Sequence, residues 1–419
     1  MTSAAPSDTA PAETRVHDNR TRETAGGMPH APAFPADPRR AYDDLRRLHP
    51  SLVTVEVAEG IPATLVIGYR AALRILSDPD HFPSDPRAWQ SAAPARRPIL
   101  PILEWFLIDT ETSRPQHLSS RAAHTAGLNA IDLHHLRRVV ESTAVVLINN
   151  FCEAGAADLL TQYAIPLTVH VINTLLGLPP DISDRMITAM AELREPAAAT
   201  PPELHHQHLR GAITEVVAAK RARPAGDLIS ALTTHPAGLT DAEITAQIEV
   251  SYARGTEPTW NLIANTLLLM MTDQRFHGLF ISGSLSTRDA IDEVLFTDPP
   301  LAGSCARFPR QPQVIDGVLL PADHPVIISS TAGNNDPELG GHRVGNRAHL
   351  AWGAGPHSCP AQSTVLLIVQ EALDQLLDAL PDIQLAIPAD RIRWRPGAFH
   401  RAPEAVPVTF PPAPPLSIP

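Results

Sequence analysis

Lysine is almost missing from this chain. Lys220 is the only one among 33 basic residues in a length of 419, so a lysine-rich surface for phosphate or nucleic acid is excluded. Cysteine is scarce as well. Cys152, Cys305 and Cys359 lie far apart with no CxxC spacing, which rules out a disulfide framework and a zinc knuckle. Aromatic residues make up only 5%, so a small-molecule pocket in this chain is expected to be aliphatic. The longest apolar run, around Leu267 to Met271, falls far short of the roughly 18 residues of a membrane span. The N-terminal residues lack the apolar core of a signal peptide. A cytoplasmic protein with no membrane span is expected. Positive charge is in deficit, and a net charge of −12 argues against nucleic acid or an anionic membrane as partner while permitting a local basic docking face. No phosphate loop, G-x-G-x-x-G fingerprint or G-x-S-x-G elbow occurs, so nicotinamide and flavin chemistry must reside in other proteins.

What is present is a globular composition: 44% hydrophobic, 19% charged. The length reads as two or three domains at roughly 150 residues each, or as one large domain. Proline is abundant, 43 residues, which limits long helices to particular windows. Residues 1–32 lack apolar periodicity and are expected to be a disordered tail. Leu52 to Gly68 reads as two strands around a turn, and Arg70 to Leu76 as a helix. Residues 81–106 form a proline-rich stretch long enough to be a binding loop. Helical periodicity runs from Gln116 to about Leu232, broken at Pro179-Pro180 and between Pro196 and Pro202. A T-x-x-E box at Thr240-Glu243 opens a helix that continues to Met271, about 45 Å long, with a kink expected where Gly255 and Pro258 interrupt it. A further helix over Ser286 to Phe296, strands within Val314–Leu320 and Pro325–Ser329, an irregular meander over 333–345 and a last helix from Ala361 to Leu380 complete the pattern.

The sharpest local signal is Trp352-Gly353-Ala354-Gly355-Pro356-His357-Ser358-Cys359, directly before that last helix. Two glycines let the backbone bulge so that amides can point at one sulfur, and a helix N-terminus favours an anion there. These are conditions for a thiolate that holds a redox metal, and haem ligation is the chemistry that most needs one. For Cys152 and Cys305, with no such surroundings, a structural role is expected. The histidines at 134, 135, 205, 206 and 208 have no supporting ligands at metal spacing and read as surface residues.

From about residue 33 to 411 the chain resembles the cytochrome P450 haem-thiolate monooxygenases of soluble, actinobacterial type. The signature residues are Trp352, Gly353, Gly355, His357 and Cys359, with Ala361 where the family has a final glycine. The resemblance implies a mainly α (α+β) fold over residues 33–419. A large helical domain with a long central helix would carry a smaller β-rich lobe drawn from about 50–70, 307–330 and 383–419. It implies haem b, with Cys359 as axial metal ligand, Trp352 and Gly353 in the cofactor loop, and His357, His117, Arg121 and Arg307 at the propionates. His117 and Arg121 match an H-x-x-x-R helix, whose two donors one turn apart share a face. Gly255 and Glu257 match the oxygen-groove pattern, so Glu257 and Thr259 are the expected proton-relay residues. Arg254 stands there for a small residue and Pro258 for the usual alcohol. The family's E-x-x-R motif reads Glu293-Val294-Leu295-Phe296. Glu293 is therefore expected to be exposed, protonated or paired with another arginine such as Arg343 or Arg347.

The leading expectation is a monooxygenase that places one atom of O2 into a small apolar substrate, with electrons from a ferredoxin and its reductase arriving near Cys359. Substrate contacts are expected from 81–106 and 165–200. A peroxide-using peroxygenase is the second reading, motivated by Pro258 and Arg254. The third is a haem-binding regulatory protein partnered by small-GTPase cassette proteins, because absence of the E-x-x-R arginine resembles an actinobacterial subgroup encoded beside such cassettes.

Overall fold

The computed structural model describes residues 38–58, 61–92, 114–194, 202–277, 285–303, 305–340, 345–395 and 400–417. Its first elements are helix α1 (Pro38–Leu48), strands β1 (Leu52–Ala58) and β2 (Ile61–Val66), and α2 (Tyr69–Leu76). Helices α3 (Arg114–Asn129) and α4 (Leu133–Asn149) lead to the short strand β3 (Ala156–Asp158). Four more helices follow: α5 (Ile165–Leu176), α6 (Pro180–Arg194), α7 (Pro202–Ala222) and α8 (Leu228–Thr234). The long helix α9 (Asp241–Thr272) precedes α10 (Thr287–Thr297). Strands β4 (Cys305–Arg307), β5 (Gln313–Ile315), β6 (Val318–Leu320) and β7 (Val326–Ile328) come next, then the short α11 (Ser330–Asn334). Helix α12 (Gln362–Ala379) and strands β8 (Gln384–Leu385) and β9 (Pro407–Thr409) end the chain. The expected tail, 1–32, and residues 93–106 of the expected binding loop lie outside the described residues.

Local chemistry explains the helix boundaries. Thr240 and Glu243 exchange the two hydrogen bonds of a capping box, Glu243 N to Thr240 Oγ1 at 3.3 Å and Thr240 N to Glu243 Oε2 at 2.8 Å. Ser286 and Asp289 do the same for α10. Asp132 caps α4 by accepting from the amides of His134 and His135. Gly177 ends α5 at φ +77, where a Cβ would also lie 2.3 Å from the Asp227 carboxylate. The helix α9 stays helical through Pro258, so it is not opened there. Tertiary burial on both sides of the proline outweighs the missing N–H: Thr256, Thr259 and Trp260 are all buried.

Strand pairing divides the expected β-rich segments between separate sheets. The order β1-β2-β7-β4 joins residues 52–66 to 305–328, with β2 and β7 parallel in register Leu65 to Ile327. The C-terminal strands belong elsewhere, in a sheet β3-β9-β8 whose first member lies between α4 and α5. The expected irregular meander also begins with the helical turn α11, capped by Ser329. The main apolar core surrounds α9 and α12 and takes in α4, α5, α7 and α10. Two smaller clusters lie on either side of the four-stranded sheet.

Candidate functional site: a half-buried thiol near the long helix

The loop 350–361 delivers Cys359 to the N-terminus of α12. Gly353 and Gly355 take φ +69 and +67, and a side chain on Gly355 would meet the carbonyl oxygen of Leu76 at 2.6 Å, so glycine is required where the loop crosses α2. The loop closes on itself through Cys359 N to Trp352 O at 2.7 Å, Gly353 N to Leu350 O at 2.8 Å and Ser358 N to Gly355 O at 3.1 Å. His357 lies in the short helical turn Gly355–His357. The indole Nε1 of Trp352 is buried without a hydrogen-bond partner among the described residues.

Burial pushes the Cys359 thiol upward in pKa. The Ala361 amide and the charges of Arg121 and Arg254 pull it the other way without prevailing. A sulfur so placed becomes a thiolate when a metal cation shares its charge. Arg121 on α3 donates to the carbonyl of Ser358, beside the sulfur. Arg307 on β4 is buried, with Nη1 bound to the Ala306 carbonyl at 2.8 Å. His117 lies in α3, and its side chain is outside the described residues. One half-buried thiol beside a guanidinium, with a buried guanidinium on β4, is a donor set that fits haem, an iron needing an axial sulfur and two propionates needing cations.

The long helix presents two faces to this region. At about 100° per residue, Arg254, Glu257, Pro258 and Asn261 share one face, and Arg254 on it acts on the Cys359 thiol. Gly255, Tyr252 and Thr259 lie on the opposite face, where Gly255 approaches Ile172 of α5. Thr259 is buried and donates to the Gly255 carbonyl at 2.5 Å. The structure thus sets Glu257 and Thr259 about 200° apart around the helix. Glu257 is bound instead by Arg395, from the C-terminal hairpin.

Sequence reasoning missed the support behind the loop. Asp292, one residue before Glu293, is 4% exposed and accepts from Arg288 Nε and Arg347 Nε, each at 3.0 Å. Glu293 meets Arg275 at 3.5 Å, and Arg343 lies outside the described residues. Phe296, in the place of the family arginine, is buried edge-on against His349, with ring centroids 5.2 Å apart. Asn334 then ties α10 to the cysteine loop, donating to Leu295 O at 2.9 Å and accepting from Leu350 N at 2.6 Å. The signal that points to Asp292 is an acid four residues after Arg288 on one helix face.

Relatives agree with this geometry. The chain is 28% identical over 392 residues to the cytochrome P450 monooxygenase PikC of Streptomyces venezuelae, covering 90% of this chain and 92% of that protein. It is 26% identical over 408 residues to the nocardicin C N-oxygenase of Nocardia uniformis subsp. tsuyamanensis, covering 93% and 100%. Among solved structures, CYP154C4 from Streptomyces sp. W2061 superposes with a TM-score of 0.78 at 25% identity, over 91% of this chain and 98% of that one. No family model matches the chain. Fold and kinship define a haem-thiolate oxidoreductase. The chain's sequence and structure neighbours are all bacterial cytochrome P450s, and they support a P450 monooxygenase with haem as its cofactor. No helix among the described residues is long and apolar enough to cross a membrane.

Proposed function

We propose that Cys359 is the axial ligand of haem b, that Arg121, Arg307, His117 and His357 meet its propionates, and that Trp352 and Gly353 shape the loop around the sulfur. Bound there, haem supplies oxygen activation promoted by electron donation from the thiolate. The observation that carries the reading is the half-buried Cys359 at the N-terminus of α12, with Arg121 donating to the carbonyl of Ser358 beside it. The substrate is a small molecule with an apolar body, admitted beside the Arg254 and Glu257 face of α9. Glu257 is the acid that holds or releases a proton there. Thr259, turned toward α5, contributes through the Gly255 carbonyl that it binds.

Electrons come from a ferredoxin served by its reductase, in the cytoplasm. Support for that docking is a cleft of about 490 Å³ lined by Arg137, Arg288, Arg347, Gln362, Gln370 and Glu371, at the N-terminal half of α12. The cleft gives an otherwise acidic chain a local basic face for an acidic partner. Direct use of peroxide is the second reading, favoured by one observation: Arg254 and Pro258 share the face that looks on Cys359. The small-GTPase cassette partner rests on the likeness of the motif loss alone. Purified protein, reduced and treated with carbon monoxide, tests the central assignment by its Soret band at about 450 nm. A Cys359→Ala variant that kept that band would overturn it.

A further inference from the structure

The cleft beside α12 has more hydrogen-bond donors than its own acids occupy. Its charged lining is Arg137, Arg288, Arg347 and Glu371, around about 490 Å³. Arg288 and Arg347 both reach Asp292, which is buried and lies outside the lining, through Nε at 3.0 Å. Their Nη nitrogens have no hydrogen-bond partner among the described residues. Arg137 is half exposed and holds Glu371 Oε2 through Nη1 at 2.6 Å, while Gln375 donates to the other oxygen at 3.1 Å. Two more acids lie close by without lining the cleft. Asp289 is engaged by the Ser286 cap, and Asp374 accepts from the Thr287 hydroxyl at 2.6 Å. Gln362, Ser363 and Gln370 of α12 add neutral donors to the lining.

Two guanidiniums tied through Nε to one carboxylate are held with like charges close together, and both open on the same space. An anion between them relieves that repulsion and meets the outer nitrogens. A carboxylate is planar, and one guanidinium fork satisfies it. A phosphoryl dianion carries oxygens in three directions and charge enough for two guanidiniums. Leu366 and Leu367 supply an apolar wall, and the volume leaves room for a small organic body beyond the phosphoryl group. We infer that Arg288, Arg347 and Arg137 form a site for the phosphoryl group of a small molecule. An occupant there neutralises the face proposed above for the acidic ferredoxin. That consequence rests on the docking reading, whereas the binding itself does not.

Isothermal titration of the full-length protein without ferredoxin tests the site, so its failure and a failure of the docking reading are told apart. The probes are phenyl phosphate, benzoate and inorganic phosphate, at matched ionic strength and about pH 8, where a phosphomonoester is a dianion. Expected is binding of phenyl phosphate about tenfold tighter than benzoate, which shares its ring and differs in the head group. Inorganic phosphate binding equally well would assign free phosphate as the occupant, and weaker binding a phosphomonoester. Ser363→Glu places a carboxylate in the cleft at an exposed position, away from Asp292 and Glu371. It should weaken phenyl phosphate at least about tenfold while the urea midpoint stays as in the wild type. Arg347→Gln removes two unpartnered donors and should weaken it about fivefold. Equal binding of phenyl phosphate and benzoate by the wild type, no saturable binding of either phosphate probe, or wild-type affinity in both variants would overturn the site.

Discussion

Asp292 of α10 accepts a hydrogen bond from Arg347 at 3.0 Å, joining the helix before β4 to the segment that runs into the cysteine loop. Arg288, one turn earlier on α10, completes the group at 3.0 Å. The carboxylate and the two arginines join the elements that an arginine at the position of Phe296, as in the E-x-x-R pattern, would be expected to brace. Here that position is apolar and closed by His349. Removing the shared carboxylate leaves Arg288 without its partner, while the more exposed Arg347 keeps water. Asp292→Asn should therefore lower unfolding stability by about 2 to 3 kcal/mol, read as a shift of the urea midpoint.

Restoring the family residue should not help. Phe296 is 2% exposed, and the nearby carboxylate already carries two guanidiniums. Phe296→Arg buries a third cation without a free acid and should cost about 3 kcal/mol or more. A midpoint equal to or above wild type would show that Asp292 is not the replacement brace.

Stability should also depend on pH through His349. Burial holds its pKa down to about 4, with Asp292 pulling partly the other way. The folded state thus keeps His349 neutral where the unfolded chain, at an ordinary value near 6.5, takes a proton. Stability from this residue is full above about pH 6.5 and declines as pH falls toward 4, by about 2 to 3 kcal/mol in all. Urea midpoints measured between pH 7 and pH 4.5 should fall, and a His349→Gln variant should show a shallower fall.

On α9 the two expected relay residues should separate in their effects. Glu257→Gln removes the acid on the face toward Cys359 and should lower ferredoxin-supported turnover at least tenfold. Thr259→Val removes a hydroxyl directed at Gly255 O and should stay within about twofold. Similar losses for both would place Thr259 back in the relay.

The basic cleft beside α12 gives a further outcome. Arg137 is half exposed and pairs with Glu371 at 2.6 Å. Arg137→Glu should raise the KM for an acidic ferredoxin about fivefold with little change in kcat, an effect that shrinks as salt is raised. A change in kcat alone would move the docking face elsewhere.

Much of this site could be read from residues in sequence order. The cysteine loop concentrates its glycines, Trp352, His357 and Cys359 in eight positions, and the Thr240-Glu243 box marks α9 without tertiary information. Even the separation of Glu257 from Thr259 follows from counting 100° per residue. The brace does not follow from a motif, because Asp292 is one residue off the expected acid and Arg288 precedes it rather than following. Arg395 is hidden for another reason: it meets Glu257 of α9 from 138 residues further along the chain. Pro258 does not open α9, which stays helical through it.

The most direct test of the central assignment is the carbon monoxide difference spectrum of the reduced protein, taken for wild type and for Cys359→Ala side by side. Expected is a Soret band at about 450 nm in the wild type and its loss in the variant, with haem still present by pyridine haemochrome. A wild type without that band, or a variant that retains it, would contradict Cys359 as the ligand of the haem iron.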